Sequence, residues 1–151
     1  MRTILFRGKR KDNGQWAVGG IYIEDGKYFI TYCQKYIPDT RDWDTAEYYE
    51  KHPIYKMEKV EVIPKTVGQF TGLFDKNSKQ IFEGDVVKTK TGRRCVVCWF
   101  SSPSFCGWDL KPVDTVENVL RTSAPSAYDL YLPENLEVIG NIHDNPELLK
   151  Q

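Results

Sequence analysis

Apolar and polar residues alternate along much of this chain, in the pattern that predicts short strands with one buried face. Two hairpins are the clearest, because Asp25-Gly26 and Thr91-Gly92 place a glycine, which tolerates positive φ, where the chain must turn. Two adjacent glycines inside one predicted strand, Gly19-Gly20, indicate a bulge or a sharp bend. The predicted strands lie at residues 3–7, 16–23, 27–33, 56–63, 66–71, 80–82, 86–90, 93–100, 108–111, 128–132 and 136–142.

The residue composition favours the same class of fold. The chain has 12 Val, 10 Ile and 10 Thr but only 4 Ala and 9 Leu, and 13% of its residues are aromatic. Branched and aromatic side chains suit a half-buried sheet, whereas Ala and Leu would favour helices. We therefore predict a mainly β protein, with small barrel-like or sandwich-like units of short antiparallel strands and at most one or two short helices.

The pattern divides near residue 65 into an N-terminal β unit, residues 1–65, and a C-terminal β unit, residues 66–151, with an SH3-like hairpin. A single domain stays open as an alternative, because the last strand could pack back on the N-terminal unit. Alternation is lost at residues 34–57 and 101–127. In the first of these, Asp44 and Glu47 have the spacing of a capping box, so residues 45–51 are either a helix or part of a long surface loop. One helical turn is predicted at residues 147–150.

The balance of positive and negative charge bears on which class of partner the protein can bind. Lys and Arg total 21 and so do Asp and Glu, which gives a net charge of zero and removes the simplest argument for a nucleic-acid or anionic-membrane partner. No stretch approaches the ~20 apolar residues of a membrane span. No export signal is recognised at the N-terminus, so we expect a cytoplasmic protein without membrane association.

No catalytic, cofactor-binding or metal-binding residue is predicted. Phosphate-binding loops, dinucleotide fingerprints and nucleophile elbows are absent from the sequence. His52 and His143 have no neighbouring partner for general base catalysis and are interpreted as surface or capping residues. A calcium loop beginning at Asp75 fails at its required Gly and Glu positions, so Asp75 and Asp85 are interpreted as turn formers and solvated strand ends.

Four cysteines are present, and Cys95 and Cys98 have the spacing of half a zinc site or of a redox pair. Both lie within a predicted strand, however, where residues three apart point to opposite faces. We therefore interpret them as buried structural thiols. A zinc or redox protein remains a third hypothesis. The other two cysteines are Cys33 and Cys106.

Basic and aromatic residues permit an alternative function as a small nucleic-acid-binding barrel, despite the zero net charge. Trp16 or Trp99 would then stack on bases. The basic face would consist of Arg7, Lys9, Arg10, Lys88, Lys90, Arg93 and Arg94. The tyrosines between residues 28 and 55, if exposed, would instead favour a protein interface, where aromatic side chains are enriched.

Three segments together resemble the YopX family of phage and prophage proteins. They are residues 6–16, with Phe-Arg-Gly-Lys and Asn-Gly-Gln-Trp; residues 66–87, with Thr-Val-Gly-Gln-Phe-Thr-Gly-Leu and Ile-Phe-Glu-Gly-Asp-Val-Val; and residues 138–149, with Val-Ile-Gly-Asn-Ile and Asn-Pro-Glu-Leu-Leu. The resemblance implies a phage or prophage origin, a mainly β fold and self-association. It implies no established activity and carries over no catalytic residue.

The leading hypothesis is therefore a non-enzymatic accessory phage protein of the bacterial host cytoplasm. It would act as a β-rich module that binds an unidentified host or phage protein and forms a homo-oligomer. No cofactor is expected.

Overall fold

The computed structural model describes residues 3–36, 48, 51–52, 54–104, 106–113, 132 and 135–150. The protein is mainly β, as predicted, and its strands are antiparallel. The elements are β1 (Phe6–Lys9), β2 (Trp16–Glu24), β3 (Lys27–Tyr36), β4 (Ile54–Val62), a 3-10 helix (Pro64–Thr66), β5 (Gly68–Phe74), β6 (Gln80–Phe82), β7 (Asp85–Thr89), β8 (Arg94–Ser101), β9 (Cys106–Pro112), β10 (Leu136–Asn141) and a second 3-10 helix (Pro146–Leu149). No helix in the described part of the chain is long and apolar enough to cross a membrane.

The N-terminal unit, Leu5–Val67, contains β1 to β4 in the spatial order β4-β3-β2-β1. The predicted hairpin between β2 and β3 is present, and Asp25 and Gly26 both have positive φ, 50° and 71°. Those values match the tight turn whose twist suits antiparallel strands. The core of the unit is formed by Ala17, Ile30 and Val62, which pack together in one cluster.

The sheet of the N-terminal unit curls until its two outer strands meet at one end. Arg10 forms a bridge with Val62, and Ile63 N–H donates to the Lys9 carbonyl at 2.8 Å. The close approach explains Gly8, because a Cβ atom there would lie 2.9 Å from the Cβ of Val62. This closure produces a small barrel-like unit from only four strands.

Gly19 and Gly20 lie where β2 changes partners. Gly19 pairs with Phe6 of β1, and Gly20 pairs with Thr31 of β3. A Cβ atom at Gly19 would lie only 2.1 Å from the Thr31 carbonyl oxygen, so another residue would push the two backbones apart. The strand itself continues unbroken from Trp16 to Glu24, and close backbone approach is the observed reason for the first glycine.

The second unit comprises Gly68–Gln151 with the first four residues, Met1–Ile4. It contains the β5–β6 pair and a four-stranded sheet in the order β10-β7-β8-β9. Its core is formed by Ile81, Val87, Cys95, Val97, Trp108, Leu110, Leu136 and Val138. The second predicted hairpin is the β7–β8 pair, and the last strand, β10, pairs with β7. The predicted strand at residues 128–132 and the predicted helix at residues 45–51 lie almost wholly outside the described residues.

Candidate functional site

The basic residues proposed from the sequence divide between the two units. In the N-terminal unit, Arg7 Cζ and Lys9 Nζ lie 4.7 and 5.8 Å from the ring centre of Trp16. Arg10 forms an ion pair with Asp12 at 2.6 Å, and this hydrogen bond holds the pKa of the Asp12 carboxyl below its usual value. Cations of the protein itself therefore cover the Trp16 ring on which a base was expected to stack.

The other basic residues lie in the C-terminal unit, where Lys88, Lys90 and Arg93 are exposed. Arg94 has a structural role that the sequence did not indicate. Its guanidinium donates to the carbonyls of Leu148 and Lys150, at 3.1 and 3.2 Å, and so holds the C-terminal 3-10 helix.

Trp99 is about half exposed, and its ring packs edge-on against that of Trp108 with centres 5.0 Å apart. Trp108 in turn lies in the core of the unit. The contact anchors one side of Trp99 to the sheet and leaves the rest of the ring in solvent.

Cys95 and Cys98 point to opposite faces of β8, as the strand spacing predicts, so one metal ion cannot bind both side chains in this arrangement. Cys95 is fully buried in the core, and Cys98 is half-buried with its Sγ 3.8 Å from the Asp109 carbonyl oxygen. Burial, and then the nearby Asp109 carboxylate, raise the pKa of the Cys98 thiol, which disfavours the reactive thiolate. Cys33 and Cys106 are both exposed.

Asp75 and Asp85 correct one expectation, because neither is a solvated strand end. They are only 4% and 1% exposed. One oxygen of Asp75 accepts from the N–H groups of Asn77 and Lys79, at 2.8 and 2.9 Å, and the other accepts from Val138 N–H at 2.9 Å. Burial by itself would raise the pKa of Asp75, but these three donors together hold it below the usual value.

Both carboxylates therefore serve the fold. Asp85 accepts the buried Phe82 N–H at 2.8 Å and so closes the turn that leads into β7. The sequence predicted turns at these two positions. The burial of Asp75 depends on β10, because the Val138 N–H that donates to its carboxylate lies 63 residues away in the chain. Of the two histidines, His52 is exposed and stacks on Tyr48 with ring centres 4.6 Å apart, and His143 is half-buried with its backbone N–H donated to Asn141 Oδ1 at 2.9 Å.

The N-terminal unit exposes aromatic and methionine side chains among charged ones on the side of β2, β3 and β4 that faces away from its core, here called the outer face. Tyr22 and Phe29 are paired in register there, with ring centres 6.2 Å apart. Lys59 Nζ lies 5.0 Å from the Tyr22 ring centre and 4.4 Å from that of Phe29. The ammonium also pairs with Glu24 at 3.1 Å, and that hydrogen bond lowers the pKa of Glu24.

The outer face continues along β3 and β4 beyond the end of their pairing with β2. The pairing of β2 with β3 ends at Gly20 and Thr31, whereas β3 and β4 remain paired as far as Tyr36 and Ile54. On this two-stranded extension the outer face carries Tyr55 and Met57, which are 64% and 65% exposed. Exposed aromatic and methionine side chains on one sheet face are typical of protein interfaces.

Similarity to known proteins extends over nearly the whole chain. A family model described as YopX protein matches residues 6–150. No curated protein matches the chain. Among solved structures, the chain is similar to protein EF1440 from Enterococcus faecalis, with 21% identity and a TM-score of 0.50 over 99% of this chain and 100% of that one. At this level of identity the similarity shows a shared fold.

Proposed function

This chain belongs to the YopX family, and from that premise and the exposed outer face we propose that it is a non-enzymatic protein-interaction module. It would serve as an accessory protein of a phage or prophage, act in the cytoplasm of the bacterial host and associate with itself. The observation that carries the proposal is the exposure of Tyr22, Tyr55 and Met57 on the outer face. Tyrosine supplies contact area at low entropic cost, and tyrosine and methionine are both enriched in interfaces.

The environment of the titratable groups supports a binding role over a catalytic one. Asp75 and Asp85 use their oxygens to accept backbone N–H groups. Cys98, with its raised pKa, is a poor nucleophile at neutral pH. Groups engaged in this way hold strands together and are not poised to transfer protons or to attack a substrate.

The distribution of charge favours a protein partner over nucleic acid. Of the basic face predicted from the sequence, Arg10 pairs with Asp12, and the Arg94 guanidinium donates to the carbonyls of Leu148 and Lys150. Because these two cations are engaged within the protein, their approach to phosphates would require that these contacts be broken. A partner that offers both polar and apolar groups fits such a mixed surface better.

The test is affinity capture with the full-length chain from lysate of bacterial cells in which a related prophage has been induced. The wild-type bait is compared with Tyr22→Ser/Tyr55→Ser, which removes two aromatic side chains of the outer face. Leu149→Ser is the matched control, because Leu149 is an exposed apolar residue of the other unit, in the C-terminal 3-10 helix.

The proposal expects one enriched protein with the wild type and with Leu149→Ser, and its loss with the double variant. Equal capture by all three baits, or no enriched partner, would contradict it. Absorbance at 260 nm is read on the same eluates, because nuclease-sensitive material that elutes with the bait would instead support the nucleic-acid alternative.

A further inference from the structure

Strand β4 forms one border of the N-terminal sheet, and among the described residues only the C-terminal end of the strand uses the edge that faces away from β3. At the C-terminal end of the strand this edge is used, because Lys11 N–H donates to the Glu61 carbonyl at 3.0 Å and Ile63 N–H donates to Lys9. From Ile54 to Val60, no strand pairs with this edge in the part of the chain that the structure describes.

The hydrogen bonds of Glu61 and Ile63 show which backbone groups line the rest of this edge. Backbone N–H and C=O groups of alternate residues in a strand point to the same edge. Since those of Glu61 and Ile63 point away from β3, so do those of Tyr55, Met57 and Lys59. Each of these three residues offers one donor and one acceptor, which is the template on which another strand can add.

We propose that a second copy of this chain adds to this edge, so that the two β4 strands pair antiparallel about a twofold axis at Met57. The inference rests on the self-association in the proposed function and specifies the surface that mediates it. A twofold axis requires that the same edge be used by both copies, and only antiparallel pairing satisfies that requirement.

The charges of β4 favour this register over the two adjacent ones. With the axis at Met57, Lys56 of each copy lies opposite Glu58 of the other. A shift of the axis to residue 56 would place Lys56 opposite itself, and a shift to residue 58 would place Glu58 opposite itself. Like charges directly opposite each other destabilise a strand pair, whereas opposite charges stabilise it.

The remaining pairs in this register are also complementary. Met57 meets its own copy, and Tyr55, which is largely exposed, lies opposite Lys59 on the same face. On the other face Ile54 lies opposite Val60, so that an exposed apolar side chain meets a half-buried one. Every position from 54 to 60 therefore finds a suitable partner in a second copy of the same sequence.

Charged residues on edge strands also occur for the opposite purpose, to prevent pairing. The two roles differ in what charge reversal does. Single reversals, Lys56→Glu and Glu58→Lys, place like charges opposite each other twice in the dimer. The double exchange, Lys56→Glu/Glu58→Lys, restores opposite charges. Within one chain Lys56 and Glu58 form an ion pair at 3.4 Å, with side chains 66% and 35% exposed, so a single reversal breaks that pair as well. The mixture of the two single variants restores opposite charges only between copies, and it therefore separates the two effects.

The experiment is sedimentation velocity of the full chain across a series of concentrations. Dimers are expected for the wild type and the double exchange, with a rise of about tenfold or more in the dissociation constant for each single variant, because two cross-strand pairs are reversed. An equimolar mixture of the two single variants is expected to form a heterodimer, since every charged pair is then opposite again. Unchanged dimerisation of the single variants, or a double exchange that fails to restore it, would overturn the inference.

Disulfide trapping tests the register directly, in a background with Cys33→Ser and Cys106→Ser to remove the exposed native thiols. At a hydrogen-bonded pair the Cα atoms lie about 5.5 Å apart, within the range that a disulfide spans. Met57→Cys should therefore form a covalent dimer under mild oxidation. Tyr55→Cys is the control, because its two copies would lie four residues, roughly 14 Å, apart along the strands. Equal trapping of both variants would contradict the register.

The charge variants are independent of the capture experiment, although Tyr22→Ser/Tyr55→Ser alters one residue of the proposed β4 seam. A wild type that remains monomeric would overturn the dimer, but loss of a captured partner with the outer-face variant would still support the interaction module. Lys56 and Glu58 lie on the opposite face of β4 from Tyr55 and Met57. The charge variants therefore separate self-association from binding by the outer face.

Discussion

Asp75 provides the most direct test of how the C-terminal unit is held together. Its carboxylate joins the turn before β6 to β10, through N–H donors at Asn77, Lys79 and Val138. The substitution Asp75→Asn keeps the size of the side chain and one oxygen. It replaces the other oxygen by an NH2 group, which cannot accept a hydrogen bond from a backbone N–H.

The expected loss of stability follows from how exposed each backbone N–H donor is. The Asn77 and Lys79 donors lie in an exposed turn, where water can replace a lost bond at a cost of about 0.5–1 kcal/mol. The Val138 N–H is buried, and leaving it without an acceptor costs ~1–3 kcal/mol. The amide variant would lose chiefly the bond to Val138, so we expect Asp75→Asn to lower the free energy of unfolding by ~2 kcal/mol and Asp75→Ala by ~3 kcal/mol.

The measurement is urea unfolding followed by tryptophan fluorescence, with Asp25→Asn as the control. Asp25 is an exposed carboxylate in the β2–β3 turn, where Asn tolerates the same positive φ, so the exchange should change stability by less than ~0.5 kcal/mol. A pH series adds a second readout. Because the folded pKa of Asp75 is lowered, its contribution is complete above the unfolded pKa of ~3.9 and is lost as pH falls through the folded pKa.

The difference in stability between the wild type and Asp75→Asn should therefore narrow as the pH falls below about 4. The reasoning is refuted if Asp75→Asn is as stable as Asp25→Asn at neutral pH. It is also refuted if the difference grows under acid conditions, because an ionised Asp75 would then be destabilising.

Three further predictions concern other parts of the fold. Gly19→Ala should lower the free energy of unfolding by ~2 kcal/mol or more in thermal or urea unfolding, since its Cβ would overlap the Thr31 carbonyl. Arg94→Ala should free the C-terminal 3-10 helix and increase its hydrogen exchange, at a cost of about 1–2 kcal/mol. With a thiol-specific reagent at neutral pH, Cys33 and Cys106 should react rapidly, and the two less exposed thiols only slowly until denaturant is added.

Each of these has a result that would contradict it. Gly20→Ala should be milder than Gly19→Ala, because the nearest atom to its Cβ is a side-chain hydroxyl at 3.0 Å, so equal losses would argue against backbone overlap. For Arg94, unchanged exchange in the last helix would show that its two bonds do not hold that segment. Rapid reaction of all four thiols in the folded protein would contradict the burial of Cys95.

Local interactions explain what the sequence by itself determined. The Asp25-Gly26 hairpin depends on two adjacent residues that accept positive φ and on the strands that flank them, so its prediction is confirmed. Strand alternation likewise predicted that Cys95 and Cys98 point to opposite faces. The mainly β class follows from side chains that favour pleated surfaces wherever they occur. Family membership is carried by motifs that span nearly the whole chain.

Tertiary structure alone decided which of these groups are buried and what they contact. Asp75 has an ordinary turn sequence, and only the return of β10 makes its carboxylate a buried acceptor. Arg94 was expected on a basic surface but binds carbonyls more than 50 residues away. The exposure of Tyr55 and Met57 depends on β3 and β4 extending beyond β2. Such contacts join residues far apart in the chain, and alternation within a strand specifies a face without specifying what covers it.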